Sequence, residues 1–158
     1  MAPVEIQAHQ RVVRCLAADG EHALTGGDGG RFLRISPGGE IKYIATFGTR
    51  WVDCVAASHG HRAWSSGRTA HVLVSGEPQA AVLEHPSTVG GLAFDAKGKR
   101  PAVTHYGGAT IWTREKRWKS RKLIWKGFHG ETTFSPDGKF LVTAMQENTL
   151  HAWRLRGK

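Results

Sequence analysis

Side chains able to do chemistry are scattered along this chain, and the first question is whether their spacing lets any of them act together. His59, His61 and His71 come nearest to a metal-ligand pattern, since a His-x-His pair can hold a cation when further ligands converge on it. No Cys, Asp or Glu stands beside them at ligand spacing, and His59 falls in a predicted hairpin turn, so no metal is expected. Cys15 and Cys54 lie 39 residues apart, which suits two small buried side chains in equivalent strands better than a nucleophile. A catalytic thiol would need a nearby base and a depressed pKa, and neither is visible around them. The run GGDGG (26–30) is rich enough in glycine to cradle phosphate, but no Lys-Ser/Thr pair follows it and no helix opens after it. It reads as strand–turn–strand, with Asp28 capping the turn. Ser65-Ser66 and Ser87-Thr88 have no companion motif for nucleophilic catalysis. No catalytic residue and no cofactor are expected.

The segment REKRWKSRKLIWK (114–126) carries seven basic residues against one acid, Glu115, and so supplies six of the chain's nine net positive charges. Two readings stay open. Trp118 and Trp125 could stack on bases while Arg117, Lys119, Arg121 and Lys122 hold phosphates. The favoured reading is a solvated loop running into an outer strand, with Leu123 and Trp125 inward and the lysines guarding an exposed sheet edge. The whole chain has 22 Lys and Arg against 13 Asp and Glu, a balance that attracts polyanions but does not bear on fold.

The elements that must carry these residues are short strands. Twenty glycines and six tryptophans in 158 residues point to many tight turns between aromatic-rich strands. Turn signals at Asp19-Gly20, His59-Gly60, Lys97-Gly98 and Asp137-Gly138 recur at spacings of 40, 38 and 40 residues. Each lies between two short apolar runs; a second turn follows at Asp28-Gly29, Ser66-Gly67, Gly107-Gly108 and Glu147-Asn148, then a third run. A fourth run precedes the next unit, and VEIQAH (4–9) could serve the first unit in that way. Four strands per unit of about 40 residues is the length of a propeller blade. No helical period is sustained.

The segment ETTFSPDGKFLVTAMQENTLHAWRL (131–155) resembles a WD repeat, with Phe134-Ser135-Pro136-Asp137-Gly138 at that family's first hairpin and Trp153 in its third strand. GGLAFDAKGKRPAVTHYGGATIWTRE (90–115) resembles it more loosely, with Trp112 in the tryptophan place. Taken whole, the chain is most similar to bacterial WD-repeat proteins with degenerate blades. The family's Trp-Asp pair reads Trp112-Thr113 and Trp153-Arg154 here, and its turn aspartate is kept as Asp28 but replaced by Glu147 in the last unit. Its Gly-His pair is missing at the usual spacing.

The resemblance implies one all-β propeller region over 1–158, in four blades of four antiparallel strands at approximately 1–37, 38–76, 77–115 and 116–158. Four such blades are an incomplete ring. The chain is read first as part of a longer propeller, then as half of a two-copy ring, and otherwise as a forced four-bladed ring or open stack. The implied function is non-enzymatic protein–protein contact through loops at the channel ends, with His59, Arg62, Arg68, Lys97, Lys99 and His105 as candidate contacts. The partner is a protein, the missing blades or a second copy; nucleic acid is the alternative, through 114–126. An enzyme would need acids or histidines clustered on the channel. No stretch nears the roughly 18 apolar residues of a membrane span. Residues 1–15 lack a secretory pattern, and two cysteines are too few for a disulfide framework, so a cytoplasmic location is expected.

Overall fold

Thirteen strands, and no helix, make up residues 3–156, which the computed structural model describes. In chain order they are β1 (Val13–Asp19), β2 (His22–Gly27), β3 (Arg31–Ile35), β4 (Ile41–Thr46), β5 (Cys54–Ser58), β6 (His61–Ser66) and β7 (Thr69–Leu73). There follow β8 (Ala81–Glu84), β9 (Gly91–Phe94), β10 (Pro101–Arg114), β11 (Trp118–Phe134), β12 (Phe140–Met145) and β13 (Leu150–Arg154). All pairs are antiparallel, in sheets ordered β1-β2-β3-β4, β5-β6-β7-β8 and β13-β12-β11-β10-β9. No helix is long and apolar enough to cross a membrane.

The expectation of four separate four-stranded sheets is therefore corrected to three sheets. The difference lies in two long strands. β10 pairs with β9 over Pro101–Thr104, shifts register between Tyr106 and Gly108, and then pairs with β11 up to Arg114. Gly107 and Gly108, expected to form a turn, instead bend the strand and let it continue, with φ of 89° and 144°. β11 divides its pairing likewise, facing β10 up to Phe128 and β12 from His129 onward. The third and fourth repeats thus share a sheet, and the fourth contributes three strands. Residues 4–9, a candidate strand, form none. The expected boundaries at 37/38, 76/77 and 115/116 all fall inside hairpins, so the hydrogen-bonded units are offset by one strand from the sequence repeat.

The inner hairpins form as their turn residues predict. In the last of them Ser135 Oγ donates to Asp137 Oδ1 (2.6 Å), and the Lys139 amide donates to the same oxygen (3.0 Å). Gly138 takes the left-handed conformation at φ 71° that this turn needs.

Three apolar clusters, one between each successive pair of units, hold the array together. Leu24, Phe32, Val52, Val55 and Trp64 join the first unit to the second, with the Phe32 and Trp64 rings stacked at 4.6 Å. Ala63, Ala70, Val72, Leu92 and Val103 join the second to the third. Ala102, Ile111, Phe134, Leu141 and Leu155 join the third to the fourth. The period-two alternation of a strand explains the sorting: Leu24, Ala63 and Ala102 face forward to the next unit, while their neighbours Trp64 and Val103 face back. Asp19 adds a buried polar tie, accepting from Arg34 (2.8 Å) in its own unit and Arg62 (2.9 Å) in the next. Burial pushes Asp19 up, but the two guanidiniums outweigh it and hold the carboxyl below its ordinary range.

Candidate interaction surfaces

Antiparallel strands place alternate turns at opposite ends of the array. The β1–β2, β5–β6, β9–β10 and β11–β12 turns share one end; the β2–β3, β6–β7 and β12–β13 turns and the β10 bend share the other. The candidate contact residues accordingly do not form one site. His59 and Lys97 are exposed at the first end, where His59, at φ 51°, bonds Ser58 Oγ (2.8 Å) and rests on the Lys97-Gly98 turn. Lys99 is exposed there too, while its amide donates to Asp95 Oδ1 (2.8 Å). Arg62 is committed to Asp19. Arg68 lies at the second end, loosely paired with Glu84 (3.7 Å). His105 is buried, so it is corrected from a rim contact to an interior residue.

The second end holds the more developed surface. Trp51, in the connection from β4 to β5, is half exposed and carries the Arg14 guanidinium 4.3 Å above its ring. Arg14 in turn reaches Asp53 (3.6 Å). On one side of Trp51 opens a groove of about 550 Å³ lined by Arg50, Asp53, Gly67, Arg68 and Glu84. On the other lies a smaller hollow of about 140 Å³ with His9, Arg11, Asp28 and Arg31 on its walls. Burial raises Asp53, against the opposing pull of Arg14. Asp28 Oδ1 is buried without a hydrogen-bond partner instead of capping its turn. An exposed tryptophan ringed by arginines has the composition of an interaction hot spot. Nothing in the sequence around Trp51 forms a motif, so only the topology reveals it.

Buried imidazoles are the second feature missed from sequence. His9 bonds Thr25 Oγ1 (2.7 Å), and His129 bonds Thr143 Oγ1 (2.8 Å) and the Trp125 carbonyl (3.0 Å). His105 bonds Thr110 Oγ1 (3.0 Å). His85 Nε2 accepts from Trp112 Nε1 (3.0 Å), so its Nδ1 carries the proton and faces the Arg68 carbonyl (3.2 Å). Burial presses His85 down to about 4 and lowers His9 and His105 as well. Trp112 is thus tied to a histidine, and Trp153 packs beside His129 with centroids 5.2 Å apart. The usable signal was spacing: His9 and His85 each stand six residues before Cys15 and Gly91, which occupy equivalent positions on the inner strands β1 and β9.

The basic segment forms the β10–β11 hairpin and the strand leaving it. Its two tryptophans separate: Trp118 packs into the cluster between the second and third units, and Trp125 stacks on His151 at 4.4 Å. Leu123 is buried as expected, but Trp125 is half exposed instead of inward. Lys119 pairs with Glu115 and Arg114 with Glu77, while Lys116, Arg117, Arg121, Lys122 and Lys126 have no carboxylate within ion-pair distance among the described residues.

Elsewhere, His71 lies against Trp64 (5.3 Å) and His61 accepts from the Ser75 amide, so neither converges with His59. Among the described residues no three of His, Cys, Asp and Glu gather as a metal-binding group. Burial raises the Cys15 thiol to about 12 and the Cys54 thiol to about 11.

No protein-family model matches this sequence, and no curated protein matches it. Solved structures do. The computationally designed Ika4 protein superposes with a TM-score of 0.82 at 15% identity, covering 99% of this chain and 100% of that one. A chain of the Mitotic Checkpoint Complex gives 0.79 at 20% identity over 96% of this chain and 52% of its own. U3-55K gives 0.76 at 16% identity over 95% and 51%. At these identities the likeness is one of fold. The chain spans about half the length of the last two.

Proposed function

We propose that this chain is a non-catalytic scaffold for protein–protein contact, built as four consecutive blades of a WD-type β-propeller that does not close on itself. The sequence repeat, the WD-like segments at 90–115 and 131–155, and the ordered packing of one unit on the next support the blade reading. The observation that carries the function is Trp51, half exposed between two hollows and held in place by Arg14. Tryptophan offers area with little entropy to lose on docking, and Arg14, already held over its ring, adds charge. Changing Trp51 to Ala should lower capture of a protein partner from extract at least about tenfold, the size of one hot-spot contact. The thermal midpoint should stay within a few degrees, because half of the side chain already meets solvent. Equal capture by wild type and W51A would remove this surface from the proposal.

A second reading is favoured by the five unpaired cations on the outer hairpin and strand: polyanion binding through Lys116, Arg117, Arg121, Lys122 and Lys126. It predicts retardation of a short single-stranded oligonucleotide at low salt, abolished when Arg117, Arg121 and Lys122 become Glu. Migration unchanged at low salt would reject it. The separation of Trp118 from Trp125 argues against a stacking platform, so the protein-binding reading stands first.

A further inference from the structure

We infer that the forward face of the fourth unit and the rear face of the first bind each other between two copies of this chain, an inference that rests on the reading of the units as consecutive blades. Each internal junction follows one pattern. Leu24, Ala63 and Ala102 occupy the same place on successive forward faces, 39 residues apart, and each is sealed by the next unit. Val55 and Leu92, which pair across their hairpins with Trp64 and Val103, enter the forward face before them and are 8% exposed.

The same two positions are unsatisfied at the array's ends. Leu16 pairs with Thr25 as Val55 pairs with Trp64, yet it is 74% exposed, with no unit among the described residues packed against it. On the fourth unit, Val142 stands 40 residues after Ala102 and pairs with Thr133 and Ala152. Around it Ala144, Ala152 and Leu150, the last 76% exposed, make an apolar patch on β12 and β13 with no unit over it among the described residues. One end carries the inserting residue without a recess, and the other carries the recess without an insert. Burying such a face is the main gain available to association.

Shape and charge select a second copy as the occupant. Residues 3–12 already cross the outer part of the first unit's rear face, where His9 bonds Thr25 and a Cβ on Gly39 would lie 3.6 Å from Ile6. Only the inner part is open, and the fourth unit presents three strands, not four. Glu131 and Glu147 lie at the same end as Arg11, and Arg154 at the same end as Glu21, so the rims carry opposite charges at both ends. Two copies related by a twofold axis satisfy both faces of each, with eight units in the ring. That extent also accords with the half-length match to U3-55K.

Light scattering on the eluted full-length protein is expected to give twice the 17.3 kDa chain mass at micromolar concentration. Leu16→Glu and Ala152→Glu, both at exposed positions, should each halve that mass with an unchanged circular dichroism spectrum. The double variant Leu16→Glu, Ala152→Lys should regain it. A monomeric wild type overturns the inference and assigns the faces to separate blades or another protein. A dimer indifferent to both single substitutions overturns it too, as does a mass that climbs beyond two copies with concentration. Capture through Trp51 is read on the W51A variant, so failure here is separable from failure of the scaffold proposal.

Discussion

Gly108→Ala should destabilise the protein by about 4 kcal/mol or more, far above the effect of a typical surface substitution. The reason is local and severe. Gly108 sits at φ 144°, a region closed to L side chains, and a Cβ there would lie 1.9 Å from the Leu123 carbonyl oxygen. That oxygen is backbone in the facing strand β11, so no rotamer change relieves the clash. The chain must give up either the strained dihedral or the β10–β11 pairing, and strain of this kind costs about 1–3 kcal/mol before any lost pairing is added. Because Ala109 and Ile111 follow directly and seal the third unit against the fourth, the disturbance enters an apolar cluster. Gly67→Asn is the matched control: φ is 59°, a Cβ there would meet nothing within 4 Å, and Asn tolerates that conformation. Urea titration should leave the control within about 1 kcal/mol of wild type. A Gly108→Ala midpoint equal to that of the control would mean β10 does not run through this bend.

The same glycine pair explains why the repeat was legible in the sequence and the sheet count was not. Turn residues mark where a chain changes direction, so the 38- to 40-residue spacing of the inner hairpins could be read directly, and β1, β5 and β9 each run into one of those turns. Gly107-Gly108 is chemically the same signal. Whether it reverses the chain or bends a continuing strand depends on the partner strand opposite, here Leu123 and Ile124. Gly127 and Gly130 likewise lie inside β11 and not at its end.

The surfaces were less legible because they are made by position in the array. His59 and Arg68 read alike as turn residues, but antiparallel strands send them to opposite ends. Arg62 looked free until the register placed it beside Asp19 of the unit before. Histidines drew attention where they crowd together in sequence, at 59, 61 and 71, and these converge on nothing. The ones that matter to the interior, His9, His85, His105 and His129, stand mostly alone in sequence and find their hydroxyl or indole partners only through strand pairing.

Those interior imidazoles make the protein acid-sensitive in a defined window. His85 has a folded-state pKa near 4, set first by burial, with the His105 ring 5.7 Å away also opposing charge and the Arg68 and Leu83 carbonyls and Glu84 pulling the other way. Its Nε2 lone pair is already taken by Trp112, so protonation must break that hydrogen bond inside the array. Unfolded, the same group titrates at its ordinary value of 6.5. A folded pKa below the unfolded one means that the unfolded chain takes up the proton first as pH falls. Stability from His85 is therefore complete above about pH 6.5 and drains away down to about pH 4, a span worth about 3 kcal/mol. His9 and His105 are displaced in the same direction and add to the loss. Asp19, displaced downward from 3.8, contributes its own loss only at lower pH. The urea midpoint should accordingly fall steeply between neutral pH and about pH 4.5, before the carboxylates titrate. His85→Gln offers a carbonyl to Trp112 without a titratable nitrogen, so it should flatten that fall even where it lowers the midpoint at neutral pH. A variant whose midpoint drops with acid as steeply as wild type would show that His85 is solvated enough to protonate freely, and that its bond to Trp112 does not hold it neutral.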